Sequence, residues 1–360
     1  MPRIALFLLA ALVLAACAPP AEDVASTSAA CPSFPHWAYD ASHDWPQDRS
    51  LLRAEDGKAL PDGRIVVADE AVGLRVIKAD GTHRPFGQFV ENGYTHNPPE
   101  FPGGANGVLI ENGGTNVLVS DVYTGQIWRV DIETEATTVI YDHPYGVNST
   151  DQDSRGTIWF TQSAENTAEQ GMMGLWAAID VSMPTGAVYK LAREGEGYAA
   201  QAEQVLDGLH FANGLAFHNT ETYLYLAELM MDRILRYRFD VASGTVSGRE
   251  VHHMVLTPDN ISIDGDNNLW IASPLGNAVF VLDGTCGSLH TVFRAPSATN
   301  DAAVDAWVTR SHLGQPRLEL VTSDAYAPLP GFLTGMFWSS DGGTIYLTGL
   351  GGAVLKYPMR

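Results

Sequence analysis

The chain has 360 residues, 45% hydrophobic and 18% charged, a balance that suits a folded protein and argues against disorder. Lys and Arg number 21 against 42 Asp and Glu, leaving a formal charge of −21. That acid excess repels polyanions and excludes a nucleic-acid partner, while a bound cation stays admissible.

At the N-terminus Arg3 precedes an apolar run from Ile4 to Ala16. The run is too short to span a bilayer and ends in small residues, as a secretory cleavage site does. Leu14-Ala15-Ala16-Cys17 resembles the bacterial lipoprotein box, in which the Cys becomes the lipidated first residue of the mature chain. The expectation is a lipoprotein signal peptide over 1–16 and a lipidated tether and N-terminal segment over 17–45, with APPAEDVASTSAA a flexible spacer. An ordinary secretory signal with an incidental Cys17 is the alternative. This reading puts the protein in a bacterial cell envelope, outside the cytoplasm, in the periplasm or at the outer membrane, touching the membrane through its lipid alone. Cys31 and Cys286 are the other cysteines. Outside the cytoplasm such a pair often forms a disulfide, and two unpaired buried cysteines are the alternative.

Six strand pairs follow in chain order. They are GRIVVADEAVGLRVIKADG from Gly63, TNVLVSDVYTGQIWRVDIE from Thr115, GTIWFTQS with TGAVYKLA from Gly156, TYLYLAELMMDRILRYRFD from Thr222, NNLWIASPLGNAVFVLDG from Asn267 and GTIYLTGLGGAVLKYP from Gly343. Each has a strand rich in β-branched or aromatic residues, a short polar break and a second strand. Their uneven spacing suits a propeller with insertions between blades. Helical signals are sparse: GYAAQAEQVLDG and DAAVDAWVTR are the candidates, both in insertions. The expected fold is all-β, a six-bladed β-propeller over 46–360. Trp37, Trp45 and Tyr94 lie near loop insertions and are candidates for a substrate entrance.

A short strand opening on a polar pair precedes five of the copies. The pairs fall at Asn106-Gly107, Tyr145 to Asn148, Asn213-Gly214, Asp259-Asn260 and Thr334-Gly335, and the matching stretch before the first copy is Arg53-Ala54-Glu55-Asp56-Gly57. Asn-Gly is a common turn dipeptide, and a single one carries no further meaning. In a propeller, however, the innermost strands ring the axis, so equivalent positions converge. The convergent set is Glu55, Asn106, Asn148, Asn213, Asp259 and Asn260, all side-chain oxygen donors. Oxygen-only clusters suit hard cations, Ca2+ above all, whereas zinc prefers His or Cys. Without a cation, Glu55 and Asp259 would repel by roughly 3 kcal/mol at about 5 Å and an effective dielectric near 20.

HFANGLAF, LYLAELMMDRILRYRF, TPDNISIDGDNNLWIAS and RAEDGKALPDG resemble the paraoxonase/arylesterase and strictosidine-synthase-like proteins, within the group that includes gluconolactonases. The resemblance implies a six-bladed propeller with a catalytic calcium in its channel, held by Glu55, Asn148, Asn213, Asp259 and Asn260. Where paraoxonases carry a His proposed to act in ester hydrolysis this chain has Asn106, so Asn106 is read as a substrate-binding group. Asp56 is a candidate for a second, structural calcium, although Ser149 stands where that site would need an Asp. The catalytic Glu of strictosidine-type synthases has no counterpart in GFLTGMFWSSDGGTIYLTG.

The function expected is extracytoplasmic, calcium-dependent hydrolysis of a small-molecule lactone or small carboxylic (aryl) ester. Asp259 is expected to activate water or attack directly, with Glu55 fixing the ion and sharing the catalytic centre. His210 is a candidate substrate-side proton carrier. GxSxG, HExxH and Walker-type loops are absent from the sequence, which removes the anchors of serine-hydrolase, zincin and nucleotide readings. The rival is a non-enzymatic, calcium-stabilised propeller lipoprotein that binds a ligand or an envelope partner. A third option is phosphotriester hydrolysis as a side activity of the same metal.

Overall fold

A computed structural model describes residues 31–96 and 103–359. The expected signal peptide, lipidation at Cys17 and the first part of the tether lie outside the described residues. Six antiparallel meanders of four strands, taken in chain order, form the six blades of a β-propeller. The innermost strands are Gly57–Ala59, Ala105–Ile110, Thr150–Gln152, Ala212–Phe217, Ile261–Ile263 and Leu333–Trp338. Blade 6 takes its outermost strand from the start of the chain, because Asp44–Trp45 pairs with Val354–Pro358. Trp37–Ala38 adds a parallel fifth strand to blade 5. The propeller therefore begins near residue 37 rather than 46. A two-residue strand has no periodicity to read, but Trp37 and Trp45 each fill a blade core.

The core follows the ring. One apolar cluster lies between each successive pair of blades, as with Val66, Val108 and Trp128 between blades 1 and 2 or Trp159, Leu215 and Phe239 between blades 3 and 4. The others join blades 2 and 3, 4 and 5, 5 and 6, and 6 and 1. Each buried large side chain contributes about 1.5–3 kcal/mol, so every blade is held from both faces. Tyr94 also belongs to such a cluster, so none of Trp37, Trp45 and Tyr94 forms an entrance.

Two longer helices and the single turn Ser323–Tyr326 stand in the insertions among the described residues. Helix α1, Gly171–Asp180, splits blade 3, and helix α2, Ala298–Leu313, joins blades 5 and 6. Helix α2 has a serine N-cap at Ser297, Arg310 and His312 in its last turn, and Gly314 in the left-handed conformation as its stop. It covers the expected DAAVDAWVTR. The other helical candidate is instead extended: Gly197–Tyr198 and Glu203–Leu209 are strands, the latter pairing with Gly186–Leu191 as the outer edge of blade 3. Pairing with a ready partner strand overrides the helix propensity of AAQAEQ. An apolar cluster of Leu175, Trp307, Phe211, Leu275 and Phe332 packs α1 and α2 over one end of the channel.

Candidate functional site

The polar pairs occupy two kinds of position. In blades 2, 4 and 6 they lie within a six-residue innermost strand, where the register slips between Ala105 and Val108, Ala212 and Leu215, and Leu333 and Gly335. Such bulges re-aim side chains. In blades 1, 3 and 5, Glu55, Asn148 and Asp259-Asn260 stand just ahead of a three-residue innermost strand.

Hydrogen bonds link these positions around the axis. Gly107 N–H donates to the Asn148 carbonyl at 3.2 Å, Gly214 N–H to the Asp259 carbonyl at 3.3 Å and Asn260 N–H to the Thr334 carbonyl at 2.9 Å. The Thr334 hydroxyl donates to the Glu55 carbonyl at 2.8 Å, and Ser163 Oγ to the Ala212 carbonyl at 2.7 Å. Val108 N–H completes the circle on Asp56 Oδ2 at 2.8 Å. Close approach, not a turn, explains the glycines. A Cβ on Gly107 would meet the Asn148 carbonyl oxygen at 2.9 Å, and one on Gly214 would meet Asp259 O at 2.7 Å.

Above this ring lies a cavity of about 90 Å3. Arg53, Glu55, Asn106, Asn148, Asn213 and Asp259 line its polar floor, and Trp176, Phe211, Leu275, Trp307 and Phe332 its apolar walls. All six floor side chains therefore meet, although they come from five blades. Three of their oxygens are buried without a hydrogen-bond partner: Glu55 Oε2, Asn213 Oδ1 and Asp259 Oδ1. Burial, partly offset by Arg53 and reinforced by Asp56, pushes the Glu55 carboxyl up to about 7. Burial and then the negative field of Glu55 hold Asp259 well above the usual carboxylate range, against the opposing pull of Asn213 and Arg53. Two buried acids held above their usual range, with orphaned oxygens beside an amide oxygen, make a donor set that suits a hard divalent cation. These residues fit such an ion.

The remaining expected residues are placed differently. Asn260 borders a second cavity of about 410 Å3 on the other side of the ring. From there its Nδ2 donates to Glu55 Oε1 at 3.2 Å, so it braces a ligand. Asn106 has both amide ends occupied: Oδ1 accepts from Arg53 Nη2 at 2.9 Å, and Nδ2 donates to Asn148 Oδ1 at 3.0 Å. Asn148 in turn donates to Ser163 Oγ at 2.9 Å, which leaves its oxygen on the Asn106 side. Asn106 therefore orients Asn148 rather than offering free groups to a substrate. His210 does not line the cavity. Phe211, in the left-handed region at φ 62°, faces the cavity, while His210 Nδ1 meets Ser182 Oγ at 2.7 Å. Asp56 faces the second cavity with both oxygens engaged, by Gly57 N–H at 2.7 Å and Val108 N–H at 2.8 Å, and Lys58 Nζ stands 3.5 Å away. A second metal there is not supported, because its charge is already balanced. Cys31 and Cys286 are both disulfide-bonded.

The sequence reading missed Arg53, which brings a guanidinium into a ring expected to be lined by side-chain oxygens alone. Its φ of 56° turns it inward, and nothing in a linear sequence announces that angle at an arginine. The walls Trp176 and Trp307 were also missed, since they come from helices in insertions.

Residues 142–304 match the family model described as the SMP-30/Gluconolactonase/LRE-like region. The chain carries a gluconolactonase-like region. That region spans blades 3 to 5 and contains Asn148, Asn213, Asp259 and Asn260. Among curated proteins, the chain is 26% identical to the Drosophila melanogaster Adipocyte plasma membrane-associated protein Hemomucin over 46% of its own length and 29% of that protein's. It is 26% identical to the Arabidopsis thaliana Protein STRICTOSIDINE SYNTHASE-LIKE 7 over 44% of its length and 42% of that protein's. The chain thus matches less than half the length of these relatives. Among solved structures, a gluconolactonase from Xanthomonas campestris superposes with a TM-score of 0.59 at 16% identity, covering 87% of this chain and 88% of that one. The calcium-binding protein regucalcin from Agrobacterium tumefaciens gives 0.58 at 13% identity, covering 91% and 96%. At these identities the structures share the propeller fold.

Proposed function

We propose that the chain is a metal-dependent hydrolase of lactones or small carboxylic esters, with Ca2+ as the ion its donors suit best. The observation that carries this reading is the trio of buried, unpartnered oxygens of Glu55, Asn213 and Asp259 around one cavity. The gluconolactonase-like region and the structural likeness to a gluconolactonase and to the calcium-binding protein regucalcin support it. Glu55, Asn213, Asp259 and the oxygen of Asn148 would hold the ion, with Asn260 steadying Glu55 and Asn106 steadying Asn148. When bound, such an ion supplies a Lewis acid for the ester carbonyl and offsets the oxyanion charge.

The protein's own part is to place and dry the reaction. The walls from α1 and α2 exclude bulk water and seat the apolar part of the substrate. Asp259 would accept the proton of the attacking water and later return it to the leaving alkoxide. The envelope location belongs to the same proposal: the Leu14 to Cys17 box supports a lipid anchor, and the disulfide-bonded cysteines suit an oxidising compartment.

The test is hydrolysis of a panel of lactones and aryl esters before chelation, after it, and after calcium is returned. Activity that vanishes and comes back supports the hydrolase. Calcium binding with every substrate inert would overturn it in favour of a binding platform.

A further inference from the structure

Arg53 is the one cationic side chain among the described residues that line the upper cavity. Of its five N–H donors, one meets Asn106 Oδ1 at 2.9 Å and one the Ala105 carbonyl at 3.4 Å. The ring of Tyr123 lies 5.4 Å from its guanidinium carbon. Among the described residues it has no direct salt bridge, and Glu70 and Glu55 act on it through their charge alone. Glu70, whose field also acts on Arg53, is turned towards His96 at 3.6 Å.

A buried guanidinium without a direct ion pair is costly to desolvate, a cost the charges of Glu70 and Glu55 offset through space, and Arg53 also sits in the left-handed region at φ 56°. The fold nevertheless fixes it firmly. Ala54 N–H donates to the Gly351 carbonyl at 3.2 Å, Gly349 N–H to the Ala54 carbonyl at 2.9 Å and Glu55 N–H to the Arg53 carbonyl at 2.8 Å. Charge and strain held so deliberately beside a ligand cavity belong to a binding role. Asn106 cannot fill that role, because both its amide ends are taken.

We propose that Arg53 anchors a carboxylate of the substrate, so that the site takes a lactone or ester that carries a separate anionic carboxylate on an apolar frame. This rests on the hydrolase reading of the same cavity. Glu55 and Asp259 together balance one divalent cation, which leaves the Arg53 charge for the substrate. A guanidinium presents paired N–H groups that match the two oxygens of a carboxylate. Trp176, Phe211, Trp307 and Phe332 supply the apolar contacts for the frame.

The test compares two γ-butyrolactones of matched size, one bearing a γ-methyl and one a γ-carboxylate, on the calcium-loaded full chain. The wild type is expected to favour the carboxylate. In R53M the ratio of the two kcat/KM values should fall on the order of 100-fold, and R53K should restore part of it. A ratio unchanged in R53M overturns the proposal. If R53M does not fold, R53Q is read by the same ratio. If the wild type turns over neither lactone, the hydrolase reading has failed, and benzoate binding by calorimetry decides the anion site alone. Weaker binding in R53M than in the wild type supports it, and equal binding overturns it.

Discussion

Asp259 carries two opposed demands. Its burial and the neighbouring Glu55 charge disfavour its ionised form, while both metal binding and proton transfer need that form. On the proposed hydrolase reading, a group poised this way destabilises the metal-free protein and would act once a cation is bound. D259N should therefore lower kcat/KM on the order of 1000-fold in a lactonase assay. The same variant should raise the melting temperature of the chelated protein, since the penalty of burying a carboxyl beside Glu55 is gone. A D259N protein that melts lower than the wild type after chelation would contradict this. Glu55 gives the pH dependence. Its carboxyl rises from an ordinary 4.5 to about 7 in the fold, so the folded chain keeps a proton that the unfolded chain releases. The stability this contributes is fully present below the unfolded value and is lost as the pH rises through about 7, by about 3 kcal/mol. Thermal unfolding of the chelated protein should show stability falling between about pH 4.5 and 7, and calcium should offset the loss at the higher pH.

The innermost strands explain the glycines at the scale of the element. Gly107 and Gly214 have no room for a Cβ against the next blade, so G107A and G214A should each destabilise by about 1–3 kcal/mol in urea unfolding. G214N tells the two explanations apart. A turn position tolerates Asn, whereas a close approach makes Asn at least as damaging as Ala. The same elements show what could be read in advance. The second and third strands of every blade were legible, because buried β-branched and aromatic runs such as IVVAD and LWIAS carry their own signal. Helix α2 was legible through its composition, but α1 was not, since GMMGLWAAID has no capping side chain and two glycines. The edge strand Glu203–Leu209 has a helix-like composition that only its partner strand contradicts. The oxygen donors could be named because they repeat in register. Arg53 could not, because its entry into the site depends on one backbone angle.

The propeller is a ring closed by the strand Asp44–Trp45. Asp44–Trp45 completes blade 6, and Trp45 packs with Ile65, Phe337 and Tyr346 between blades 6 and 1. W45A should cost about 3–5 kcal/mol, and a chain starting at residue 46 should lose more, both read by denaturant unfolding. Ring closure also sets the site. Glu55 belongs to blade 1 and Asp259-Asn260 to blade 5, and Thr334 of blade 6 bridges Glu55 and Asn260 only in the closed ring. The most direct test of this account is a calorimetric titration of Ca2+ into the chelated full chain at about pH 8 and about pH 6. The account predicts binding at the Glu55, Asn213 and Asp259 site that weakens by about tenfold or more at the lower pH and is lost in D259N. No binding, or binding that D259N leaves intact, would contradict it.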